Sequence, residues 1–132
     1  MLRFIVFIIL CGCSSSSYDG TYCAEIDRYN PSSQKESSYT LLVDVDENII
    51  KAIHWPNGGY SDEDEIGSPI ISSSTSSFSD NDNVQYKVKI NGSAENCFEG
   101  MPPLKQCSGT REDGAQCKNK TGHSSGICHI HR

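Results

Sequence analysis

Tyr39-Thr-Leu-Leu-Val-Asp-Val-Asp-Glu-Asn-Ile-Ile-Lys-Ala-Ile-His-Trp55 is the stretch on which the fold turns. Tyr39, Leu41, Val43 and Val45 recur every second residue, and Thr40, Asp44 and Asp46 fall mostly on the other side. That is the period of a half-buried strand. Asp46-Glu47-Asn48 is a turn. After it Ile49, Lys51, Ile53 and Trp55 alternate with Ile50, Ala52 and His54. Two alternating runs about a short polar turn predict a β-hairpin. Trp55-Pro-Asn-Gly-Gly59 stops the second strand, because proline lacks an amide donor and glycine tolerates positive φ.

The same period extends outward. Tyr22, Ala24 and Ile26 share a face opposite Thr21, Cys23 and Glu25. Val84, Tyr86, Val88 and Ile90 alternate with Gln85, Lys87 and Lys89, following the turn residues Asp80-Asn-Asp-Asn83, so Ser77 to Ile90 predicts a second hairpin. Ser61 to Glu65 and Ser72 to Ser77 read as polar loops, and no segment has a convincing helical period. The expected fold is mainly β, a small antiparallel meander or curled sheet of about four or five strands. A short irregular Cys/His-rich module follows it.

The chain has 132 residues and a net charge of -6. Residues 19–103 hold 15 acidic and 5 basic side chains, net -10, whereas residues 104–132 hold 2 and 5, net +3. An acidic body argues against binding nucleic acid or anionic membrane by charge alone. The charge step suggests two modules: a body over 19–97, a linker over 98–106 and a tail over 107–132.

Before the body, Arg3 precedes the apolar run Phe4–Leu10, then Cys11-Gly12-Cys13 and four serines. A charged start, a short apolar core and a small residue describe an export signal over residues 1–12. Seven residues span only about 10 Å as a helix, too short for a bilayer core of roughly 30 Å. Leu10-Cys-Gly-Cys13 resembles the lipobox of bacterial lipoproteins. The resemblance implies cleavage after Gly12, diacylglyceryl attachment and palmitate-type acylation at Cys13, and a Ser-rich tether over 13–18. The expected location is the cell envelope, lipid-anchored, with the outer membrane or cell surface favoured. The partner would be an envelope protein, peptide or glycan.

The runs Tyr18-Asp-Gly-Thr-Tyr-Cys-Ala-Glu-Ile, Ser37-Ser-Tyr-Thr-Leu and His54-Trp-Pro-Asn-Gly-Gly-Tyr resemble a small β-rich domain of Bacteroidota proteins, over residues 18–91. That resemblance implies a fold and a phylum but no activity. His54 at a strand end beside Trp55 reads as a structural imidazole. Asp62-Glu-Asp-Glu65 and Asp80-Asn-Asp-Asn83 lack the spaced ligands of a calcium loop. The serines have no nucleophile-elbow context. No catalytic constellation is visible.

The tail is the most informative stretch. Cys107, Cys117, Cys128, His129 and His131 fall within 25 residues. Ala115, Ile127 and Ile130 are its few apolar side chains, too few to fold it without a cross-link. Zinc takes four thiolate or imidazole ligands in a tetrahedron, and Cys107, Cys117, Cys128 and His131 make such a set, with His129 as the alternate and His123 as a distant one. Four protein ligands close the shell, so the role would be structural. The pattern Cys-x-Gly-Thr-x-x-x-Gly-x-x-Cys followed by Cys-x-x-His resembles a short zinc-type module at the ends of bacterial and phage proteins. It implies the same four ligands and no enzyme activity. Disulfides are the rival cross-link, favoured by an oxidising compartment. If a metal takes the last three cysteines, Cys23 and Cys97 remain as a pair able to staple the body. A second functional reading is a cytosolic protein that meets nucleic acid through Arg111, Lys118, Lys120 and Arg132; the acidic body fits it poorly.

Overall fold

A computed structural model describes residues 17–99, 101, 103–122 and 125–128. The chain forms β1 (Gly20–Asn30), β2 (Lys35–Asp46), β3 (Ile49–His54), β4 (Tyr60–Asp62), α1 (Glu63–Ile66), β5 (Thr75–Ser79), β6 (Gln85–Ser93), β7 (Lys105–Gln106) and β8 (Lys120–Thr121). Six strands make one antiparallel sheet in the order β4-β3-β2-β1-β6-β5, and β7 pairs with β8 separately. The hairpin that opens the sequence argument is present as β2–β3. Its loop residues Glu47 and Asn48 have φ of 48° and 66°. Positive φ at both central positions matches the right-handed twist of the flanking strands. Among the described residues no helix is long and apolar enough to cross a membrane.

The sheet curls until its two ends approach. The Trp55 ring, just past β3, lies 6.3 Å from the Tyr86 ring on β6, although β2 and β1 separate those strands in the sheet. Asn81, in the β5–β6 turn, donates from its backbone and side chain to the carbonyls of Glu65 and Asp64 on α1. The inner face carries the core: Ala24, Ile26, Leu41, Val43, Val45, Ile50, Ile53, Val88 and Ile90, with Ile66 and Ile71 from the connection.

Four details depart from the sequence reading. A register shift between Asp44 and Val45 breaks strict alternation on β3. Ile50 and Ile53 both reach the core there, while Lys51 stays half-exposed. Residues 61–65 are not a loop. Ser61 is buried on β4, and Asp62 caps the single turn α1 by accepting from the Asp64 amide. Thr75–Ser77 is not a loop either: it starts β5, because β6 offers a free edge to pair with. Asp44, assigned by alternation to a polar face, is fully buried.

The reason for that burial is the path of the chain after β6. The outer face has two halves. Glu25, Asp27, Ser38, Thr40, Lys87 and Lys89 are exposed, whereas Thr21, Cys23, Leu42, Asp44 and Ala52 are buried. The Cys23–Cys97 disulfide and the Thr21–Lys120 contact bring the C-terminal segment back over this second half.

Candidate metal centre

The tail folds around its cysteines. Cys107 follows β7, and its amide donates to the Asn119 carbonyl just before β8. Arg111 to Ala115 closes a tight turn, with the Arg111 amide on the Ala115 carbonyl and the Gly114 amide on the Arg111 carbonyl. Gly114 takes φ 85° there, a conformation that disfavours any side chain. This turn reverses the chain so that the Cys117 amide reaches the Gly109 carbonyl. The Ser108 amide on the Gly126 carbonyl then draws in the last arm.

The result is a knot of three buried thiols. Cys107, Cys117 and Cys128 are 0%, 4% and 1% exposed, none is disulfide-bonded, and their sulfurs all lie within 4.8 Å of one another. Cys117 Sγ and Cys128 Sγ are 3.7 Å apart. Two sulfurs of a tetrahedral site with metal–sulfur bonds of about 2.3 Å would stand roughly 3.8 Å apart, so the spacing fits shared coordination.

The surroundings suit a thiolate at Cys107. The backbone amides of Gly109 and Cys128 donate to its sulfur at 3.4 and 3.2 Å, and such donors stabilise the anion. Asn119, itself buried, points its side-chain amide at Cys128 Sγ at 4.0 Å. The Cys117 thiol is pushed up to about 12, chiefly by burial, with a backbone hydrogen bond from Asn119 opposing and neighbouring Cys128 adding to the rise. Without a cation such a thiol keeps its proton, so a metal bound among the three sulfurs would have to displace it. Three clustered sulfurs are a donor set that a metal ion could share.

Of the ligands expected from sequence, the structure brings Cys107, Cys117 and Cys128 together. His131, its alternate His129, and His123 lie outside the described residues, as do the lipidation residue Cys13, the export segment and Arg132. Cys23 and Cys97 form the disulfide expected of them. Gln106 and Asn119 escaped the sequence reading, since nothing in a polar stretch marks an amide that will turn inward. Gln106 donates its side-chain amide to the carbonyls of Cys117 and Asn119 and so braces the loop between two of the cysteines.

The tail is joined to the sheet by polar contacts. The Thr21 hydroxyl accepts from the Lys120 amide at 2.8 Å and donates to Asp44 Oδ1 at 2.8 Å. Asp44 Oδ2 meets His54 Nε2 at 2.8 Å. Arg111 reaches Asp19, Asp46 and Glu47, Lys118 reaches Asp19, and Lys120 reaches Glu95. Burial raises the Asp19 carboxyl, but hydrogen bonds from Lys118 and Arg111 outweigh it and hold the group below its ordinary 3.8. Three of the four cations expected to face phosphates are thus paired with carboxylates of the body. Comparison with protein-family models, curated proteins and solved structures returned no match.

Proposed function

We propose that this chain is a non-catalytic, envelope-anchored binding module whose C-terminal tail is fastened over its β-sheet by one structural zinc ion. Cys107, Cys117 and Cys128 would supply three thiolates and His131, or His129, the fourth ligand. The observation that carries this reading is the cluster of three buried, unoxidised thiols. A segment so poor in apolar side chains needs a cross-link to stay ordered, and these sulfurs stand where one ion can join all three. Zinc suits the set because it takes tetrahedral sulfur and nitrogen ligands, and four protein ligands leave no open position for substrate.

Two features support export. The lipobox-like Leu10-Cys-Gly-Cys13 provides a lipid attachment point, and the Cys23–Cys97 disulfide suits an oxidising compartment. Bound metal would also shield the remaining thiols from oxidation there. Several acyl chains at about 0.8 kcal/mol per buried methylene would make anchoring durable.

Two measurements test the reading. Elemental analysis of the purified chain should find one zinc per molecule, lost in Cys117→Ser and on chelation, with the tail thiols becoming reactive in step. A metal-free chain whose tail cysteines are paired as disulfides would refute the metal site. Intact mass of protein from native membranes should show a chain starting at Cys13 and carrying acyl groups; a full-length unmodified chain would refute the anchor.

A further inference from the structure

The curled sheet holds a second feature, lined by none of the three clustered cysteines. A cleft of about 460 Å³ lies between Arg28 on β1, Tyr39 on β2, Trp55 and Asn57 after β3, Glu65 on α1, and the turn that carries Asp80 and Asp82. Its volume falls in the roughly 300–1,000 Å³ range of small-molecule sites, which favour the mouths of barrel-like sheets. Tyr39, Trp55 and Tyr86 are its aromatic lining. Tyr39 meets Trp55 edge-on at 5.5 Å, and Tyr86 stacks on Phe78 at 5.2 Å.

These rings are held in place by their polar ends. Trp55 Nε1 donates to the Ser61 hydroxyl at 2.8 Å, and the Tyr86 hydroxyl donates to Asp80 Oδ2 at 2.9 Å. The Tyr86 oxygen and, more weakly, Asp80 raise the Arg28 guanidinium above its ordinary value against the opposing effect of burial. The rim therefore carries donors from Arg28 and Asn57 and acceptors from Glu65 and Asp82, both exposed.

The lining narrows the class of ligand. Three carboxylates against one guanidinium disfavour an anion, and an apolar molecule would strand the polar rim. Asp80 already accepts from the Asp82 and Val84 amides and the Tyr86 hydroxyl, so a cation would gain only Glu65 and Asp82 while facing Arg28. A neutral ring with an apolar C–H face and many hydroxyls satisfies all of these groups, since each hydroxyl both donates and accepts. We infer that this cleft is a binding site for a neutral carbohydrate, with the sugar ring against Trp55 and its hydroxyls held by Arg28, Asn57, Glu65 and Asp82. The inference does not depend on the metal reading.

Trp55 is the only tryptophan of the chain, so in the folded protein tryptophan fluorescence comes from a ring that lines this cleft. The full chain is titrated with neutral trisaccharides of glucose, mannose, galactose and N-acetylglucosamine, with oligolysine and oligoglutamate peptides alongside. At least one sugar should give a saturable change. Glu65→Ala/Asp82→Ala should weaken that response about tenfold or more, the scale of losing one or two hydrogen bonds, with the melting temperature unchanged. Arg28→Met should act in the same direction. Silence toward every sugar, a response indifferent to these substitutions, or a saturable response to either peptide in place of the sugars would overturn the assignment.

Discussion

Thr21→Val tests whether the tail and the sheet are one cooperative body. The side chain is 7% exposed, and its hydroxyl is the direct bridge between β1, the buried Asp44 carboxylate and the β8 backbone. Valine keeps the branched shape and removes the oxygen. The hydroxyl–carboxylate bond at 2.8 Å is charge-assisted and buried, worth about 1.5–3 kcal/mol. Losing the acceptor at Lys120 strands a partly buried amide, at about 1–3 kcal/mol. Asp44 keeps its His54 partner at 2.8 Å, so the carboxylate is not left bare, and the two losses share one group and will not add fully. The expected destabilisation is about 3 kcal/mol, roughly a hundredfold in the folding equilibrium. Urea unfolding measures it with two probes, Trp55 fluorescence for the sheet and the thiolate-to-metal absorption of the cobalt-substituted chain for the tail. In the parent the two should coincide, as a single cooperative unit requires. The variant should unfold at lower urea in both. Thr40→Val, exposed on the same face of β2, is the control and should change little. A Thr21→Val chain within about 0.5 kcal/mol of the parent, the size of an ordinary surface substitution, would show that the tail merely rests on the sheet.

Three further outcomes follow from the same contacts. Replacing Cys23 and Cys97 together by alanine opens a loop set by their sequence separation of 74 and should cost about 4 kcal/mol by loop entropy, read as a lower midpoint in urea under non-reducing conditions. Gly20→Ala should also destabilise: φ is 131° and a β-carbon would stand 3.0 Å from the Lys118 carbonyl oxygen, so either β1 or the tail must shift, visible as a lower melting temperature together with faster exchange of the Lys120 amide. The Asp19 carboxyl has its folded value depressed below 3.8, so its contribution to docking is complete above that pH and is lost as pH falls through the lower folded value. A carbon-13 titration should place its midpoint below 3.8, and Lys118→Met with Arg111→Met should move it upward; a midpoint at or above 3.8 in the parent would exclude these ion pairs.

Period-two alternation from Tyr39 to Trp55 and from Val84 to Ile90 was enough to place the hairpins and most of the core. A strand's side chains point to opposite faces whatever surrounds it. The cysteine and histidine spacing picked out Cys107, Cys117 and Cys128, because so few apolar residues must be compensated by a cross-link. The one-turn helix at Glu63 and the fifth strand at Thr75 were less visible. Serine-rich sequence has little strand propensity, and only the waiting edge of β6 orders it.

By itself, then, the sequence settled which residues share a face wherever the register runs unbroken, though not across the shift that brings Ile50 and Ile53 together, and it settled which cysteines have partners to seek. It did not settle what covers each face. Asp44 and Thr21 have the local pattern of solvated positions, yet both are buried because a segment about one hundred residues from Thr21 returns over them, tied by Cys23–Cys97 and by the Lys120 backbone. Alternation is a property of neighbouring residues, whereas burial is a property of whatever the chain brings back from far away. For that reason the aromatic cleft and the fastened tail belong to the tertiary structure alone.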